Sequence, residues 1–212
     1  MSFEPTEKEI QIATKLMNHG LSKAGGALQS VLSSPISIDA TDFSILGNTD
    51  ERDYCTKKNT QAYLLKTVLV GELSGVCHLV FSEDEVEKVY STCLPESVLL
   101  NQSSQNDMMK REFLTEIDNI VAAAVITQFA NYLDLNVYGG VPTLEVMNAE
   151  DINNYIINES SDLKSIIKFK AHMQASELDI YPDFIWLLGD GFIDKIKSNS
   201  ESSNIEELLN TK

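Results

Sequence analysis

The chain has 212 residues, 43% hydrophobic and 23% charged, with 32 acidic against 16 basic side chains and a formal charge of −16. That length and mixture suit one or two soluble domains with a real apolar core. The charge excludes the basic face that phosphate contacts need, so neither nucleic acid nor an anionic membrane surface is expected as a partner.

No apolar run approaches the roughly 20 residues that cross a bilayer, and membrane insertion is not expected. The longest, Ile120 to Ile126, lies between Asp118 and Gln128. The N-terminus has no basic stretch leading into an apolar one, so the expected location is cytoplasmic. Cys55, Cys77 and Cys93 have no paired spacing, which predicts free thiols in a reducing compartment. His19, His78 and His172 are scattered, without metal-ligand spacing.

In chain order, Glu7 to Leu32 carries Ile12, Leu16, Leu21, Leu28 and Leu32 at helical intervals, and Pro35 follows. A helix and then a strand from Ile36 are predicted. The segment 47–53 (Gly-Asn-Thr-Asp-Glu-Arg-Asp) reads as an exposed loop. Tyr63 to Gly71 and Gly75 to Phe81 read as two strands joined by a tight turn, a hairpin. Ser82 with Glu85 three residues on is a capping box, opening a helix that ends near Pro95. Asn101 to Asp107 reads as a polar connector.

The order then repeats. Asp107 to Leu133 is predicted to be a helix, and Leu135 to Tyr138 leads through Gly139 and Gly140 into Thr143 to Val146. Strands are expected at Ser165 to His172 and Leu178 to Leu188, and a short helix from Asp190. Each half is thus helix, strand, strand, strand, helix. The expectation is an α/β (α+β) fold: a tandem αβββα repeat with pseudo-two-fold symmetry, sharing a six-stranded sheet covered by helices. The repeats span about 7–100 and 107–197 of a single domain, 1–197. Residues 198–212 read as a flexible polar tail, although Ile205 to Leu209 has an amphipathic turn.

Within the second opening helix, Glu116 and Asn119 stand three residues apart and share a face. A carboxylate and an amide aimed together can grip a cation and hold a water. Pro142 follows Asn119 at 23 residues, and Glu112 precedes Glu116 by one turn. In the first half, Asn18 lies 101 residues before Asn119, but Lys15 takes the glutamate position and Thr41 the proline position. There is no phosphate-binding Gly-rich loop ending in Lys-Ser/Thr, no His-Glu-x-x-His and no Gly-x-Ser-x-Gly elbow.

Glu-x-x-Asn with the spaced proline, on the opening helix of a doubled unit, resembles the CheC/CheX/FliY family of bacterial chemotaxis proteins. In layout it is most similar to CheC, and the resemblance covers about Glu7 to Lys197. Glu112 departs from the family's usual Asp or Ser but keeps the acidity. The resemblance implies a phosphatase acting on the aspartyl phosphate of a chemotaxis response regulator. Glu116 would pair with the regulator's active-site lysine and Asn119 would position the attacking water. Glu112 and Pro142 are then supporting motif positions, with Pro142 shaping a strand entry. Mg2+ would be held by the regulator, and this chain would bind no cofactor.

In the first half, Lys15 would repel that lysine, so Lys15 and Asn18 mark a degenerate, inactive site. The resemblance also allows a non-catalytic module that docks a response regulator or a receptor deamidase. A flagellar-switch form is disfavoured because no long N-terminal regulator-binding peptide or C-terminal switch-type domain is seen.

Overall fold

Apolar residues three and four apart build the first helix, α1 (Glu7–Leu32). Ile12, Leu16, Met17, Leu21, Ala24, Leu28 and Leu32 form one fully buried stripe, the pattern of a helix with one face against a core. In the computed structural model, residues 5–32, 34–46, 54–101, 103–159, 166–175, 178–189 and 191–210 are described. The loop expected at 47–53 lies outside them.

After α1 come β1 (Ile36–Leu46), β2 (Gln61–Gly71) and β3 (Gly75–Ser82). The β2–β3 hairpin is antiparallel. Gly71 adopts φ +115° at its turn, where a Cβ would collide with the Asn136 carbonyl, so only glycine fits. The capping box opens α2 (Glu83–Cys93): the Ser82 hydroxyl accepts from the Glu85 amide while the Glu85 carboxylate accepts from the Ser82 amide. A short α3 (Glu96–Leu100) follows, then α4 (Ser104–Leu133). The expected polar connector is cut short because the Ser103 side chain caps α4 by accepting from the Asn106 amide.

The second half continues with β4 (Val137–Gly139), β5 (Thr143–Asn148), α5 (Ala149–Glu159), β6 (Ile166–Ala175), β7 (Asp183–Gly189), α6 (Gly191–Asn199) and α7 (Ser203–Asn210). The sheet runs β1-β6-β7-β3-β2-β4, with β5 also paired to β2. The two halves interlock: β1 pairs β6 of the other half, β5 pairs β2 of the first, and β3 and β7 meet at the centre. This is an α+β fold of two interlocked repeats, the first αβββα and the second the same order with α5 inserted between β5 and β6. Among the described residues the six strands expected are seven, because two short strands, β4 and β5, lie along β2 where one was expected.

α1 and α4 cover one face of the sheet, over a core that includes Leu65, Leu69, Leu79, Phe169 and Trp186. On the other face Leu64, Val76, Val80, Ile185 and Leu187 pack under Ile152 and Ile156 of α5 and under Tyr54. Strand β7 is buried along its whole length because it is covered on both faces.

Three further sequence expectations are corrected. Helix α5 was not foreseen, although Ala149, Ile152 and Ile156 mark its apolar stripe. The last strand starts at Asp183 instead of Leu178, because Asp179 turns the chain at φ +52°. The tail is not wholly flexible: Ile205 and Leu208 are buried, and α7 docks where Asn204 donates to the Asn131 carbonyl at 3.1 Å. Its apolar turn finds a partner face on α1 and α4, which composition alone does not reveal. Helix α4 passes the length and composition test for crossing a membrane, and its Leu114, Ile117, Val121, Val125 and Phe129 pack into the core.

α1 and α4 cross closely at Gly20, where a Cβ would lie 2.8 Å from the Val125 Cα. Backbone cannot yield as a side-chain tip can. Gly20→Ala is therefore expected to cost about 1–3 kcal/mol, read as a lowered urea midpoint. An unchanged midpoint would show that the crossing tolerates a wider gap.

Candidate functional site

Glu112, Glu116 and Asn119 recur at helical intervals on the outer face of α4 and are exposed, while Leu114, Ile117 and Asp118 face inward. The helix is held firmly on its inner side, so its outer row is presented in a fixed rotation.

The wall opposite this row is made by the break between β4 and β5. Leu69 pairs with Gly139 and Lys66 with Thr143. Between those pairs β2 has two residues, Thr67 and Val68, while the facing chain has three, Gly140, Val141 and Pro142. One extra residue must bulge outward. Val141 is 88% exposed, and the Gly140 amide is retained on the Val68 carbonyl at 2.8 Å. Pro142 brings no N–H to the ladder, and pairing resumes only at Thr143. The result is an open cleft of about 380 Å3, lined by Thr115, Glu116 and Asn119 on one side and Gly139 to Pro142 on the other. Glu116, Asn119 and Pro142, 26 residues apart at the extremes, are thereby brought together.

Glu112 does not line this cleft. It lies in an adjoining hollow of about 500 Å3 with Asp107, Met108, Arg111, Thr115 and Leu144. Arg111, which sequence reasoning passed over, reaches across to donate to the Leu144 carbonyl at 2.8 Å. It ties α4 to the start of β5, and only its cationic type next to Glu112 could have signalled this.

The first half differs in its wall as well as its residues. β1 carries its own extra residue at Thr41, between the pairs Ala40–Ala171 and Asp42–Lys170, but continues as one strand. The break that frames the second-half cleft is absent there. Asn18 is exposed on α1, while Lys15 donates to the Leu209 carbonyl in the last turn of α7 at 2.7 Å. A cation suits the negative end of a helix. Lys15 thus serves as a clamp for α7.

Beneath the cleft, Asp118 is fully buried. One carboxylate oxygen accepts from the Thr67 hydroxyl at 2.7 Å, and the other has no partner among the described residues. Burial pushes its pKa up to about 7, against the lowering effect of the Thr67 hydrogen bond. Cys77 is buried close by, and burial, then the Asp118 charge, hold its thiol well above the usual range. Burial likewise raises Cys55 to about 11. Neither thiol is poised as a nucleophile.

His78 is buried on the far face, with Nε2 3.3 Å from Glu159. Burial would raise the Glu159 carboxyl, but hydrogen bonds from His78 and Lys66 bring it down to about 2. This cluster fastens the end of α5 to the sheet. Among the described residues, no group of three or more His, Cys, Asp or Glu side chains is arranged to hold a metal ion.

At the level of sequence, no family model and no curated protein matches the chain. Solved structures do. FliY of Thermotoga maritima superposes with a TM-score of 0.66 at 15% identity, over 94% of this chain and 98% of that one. FliM of H. pylori, solved in complex with SpeE, gives 0.61 at 7% identity, over 94% of this chain and all of the other. The CheX–CheY–BeF3–Mg2+ complex of Borrelia burgdorferi gives 0.52 at 13%, over 81% of this chain and 96% of that one. At such identities the likeness is one of fold. The chain has the fold of the CheC/CheX/FliY family of chemotaxis proteins.

Proposed function

We propose that the chain is a phosphatase for the aspartyl phosphate of a chemotaxis response regulator, acting in the cytoplasm through its second-half cleft. The observation that carries this reading is the meeting of Glu116, Asn119 and the Gly139–Pro142 wall in one open cleft. A folded protein substrate can seat its phosphorylated surface over such a cleft, where a deep pocket would exclude it. CheX, of similar fold, has been solved with CheY, BeF3 and Mg2+.

In this mechanism Glu116 pairs with a lysine of the regulator and fixes α4 against it. Asn119 reaches the phosphoryl group and orients a water by hydrogen bonds from its amide. The water oxygen bonds to phosphorus as the bond to the aspartyl oxygen breaks, giving inorganic phosphate and a free carboxylate. Such displacement asks mainly for positioning and electrostatics. The cation required is Mg2+ on the regulator, and this chain supplies no cofactor.

The test is phosphate release from a purified chemotaxis regulator charged with a small phosphodonor and Mg2+. The wild-type chain is expected to accelerate release. Glu116→Lys is expected to raise KM by about tenfold or more, since it sets a cation against the regulator's lysine. Equal KM values would remove Glu116 from the interface.

A second reading, a docking module without catalysis, is favoured by the likeness to FliM, solved with SpeE and with FliG. Its partner would be the regulator itself or a receptor deamidase. Binding of the phosphorylated regulator without faster phosphate release would select it.

A further inference from the structure

Asp118 stands between the two residues proposed to act on the regulator, yet faces the opposite way. It is fully buried, and a buried carboxyl with one oxygen unpartnered is costly to retain. Its one partner among the described residues is Thr67 of β2, at 2.7 Å. Extending the β2–β5 register by one residue from Lys66–Thr143 sets Thr67 opposite Pro142. A Cβ on Gly139 would lie 3.1 Å from the Thr67 Cγ2 methyl, so that methyl packs on the cleft wall. The next β2 residue, Val68, holds the Gly140 amide. The buried Thr67–Asp118 hydrogen bond therefore connects the helix that carries Glu116 and Asn119 with the strand that carries the opposite wall.

We propose that Asp118, acting through Thr67, is a positioning residue that sets the separation of Asn119 from the Gly139–Pro142 wall. This rests on the phosphatase reading for its catalytic consequence, but the tie itself does not. Without the bond, α4 keeps its apolar contacts over β2 and the Arg111–Leu144 hydrogen bond two turns earlier, which resist separation but permit small sliding beside Asn119. Catalysis by positioning is sensitive to sliding of that size.

The experiment uses the full chain with Thr67→Val, Thr67→Ser, Asp118→Asn and Asp118→Ala. Phosphate release from the charged regulator gives kcat and KM, and amide hydrogen exchange at Gly140 reports the wall directly. Thr67→Val keeps shape but loses the hydroxyl, so kcat is expected to fall by about tenfold or more while KM stays within about twofold. Gly140 should exchange faster.

Thr67→Ser and Asp118→Asn keep a donor and an acceptor, and both should stay near wild type in both readouts. Asp118→Ala should behave like Thr67→Val and serves if that variant does not fold. Wild-type kcat and Gly140 exchange in the folded Val and Ala variants would overturn the proposal. So would equal losses in the Ser and Asn variants. If wild type hydrolyses no regulator phosphate, the phosphatase reading falls, while Gly140 exchange still decides the tie.

Discussion

Asn119→Ala is expected to slow phosphate release from the charged regulator by roughly 100-fold or more, the usual scale for losing one positioned donor. Its folding should be unchanged. The side chain is exposed on the outer row of α4, with the core contacts of that helix made by Leu114, Ile117, Val121 and Val125 on the other side. Alanine keeps the helix and removes only the amide that orients water. KM should move little, because Glu116 and the wall at Val141 and Pro142 still meet the regulator. The combination of lost kcat, kept KM and an unchanged urea midpoint would identify a catalytic amide. Full activity in the alanine variant would remove Asn119 from the chemistry and leave the docking reading.

Asp118→Asn is expected to stabilise the fold in a pH-dependent way. Burial raises the folded-state pKa of Asp118 from the ordinary 3.8 to about 7. Below about pH 4 both folded and unfolded chains hold the proton, and the carboxyl adds no penalty. Between about pH 4 and 7 the unfolded chain has lost it while the folded chain keeps it. Unfolding then releases a proton, so stability falls as pH rises.

Above about pH 7 the penalty is complete, on the order of 4 kcal/mol. Asparagine cannot ionise and keeps the acceptor for Thr67. The gap between variant and wild type, measured by urea unfolding at pH 4, 6 and 8, should therefore widen and then level off. Other titrating groups are common to both chains and cancel. A gap independent of pH would show that water or a cation reaches the carboxylate.

How far the sequence could be read depended on whether the signal was local. The stripe of α1, the Ser82–Glu85 capping box and the β2–β3 hairpin are each specified by residues close together, and each was legible. Helix α5 follows directly on β5 with no Gly or Pro between them, so its three apolar positions were hidden. The span from Leu178 was misread because hydrophobicity continues across a turn set by Asp179. At the site, the shared face of Glu116 and Asn119 followed from helical periodicity alone. Arg111 and Asp118 gave no such signal, since their partners, Leu144 and Thr67, lie 33 and 51 residues away.

The sequence by itself determined the doubled order of elements apart from α5 and the β4–β5 break, the acidic charge and the placement of a carboxylate and an amide one turn apart, because periodicity and charge act over a few residues. Only the tertiary structure decided that Pro142 faces them across a cleft, that Lys15 clamps α7 and that Asp118 is sealed under the helix. Those outcomes depend on which strand lies beside which, and on one extra residue in a ladder between segments far apart in the chain.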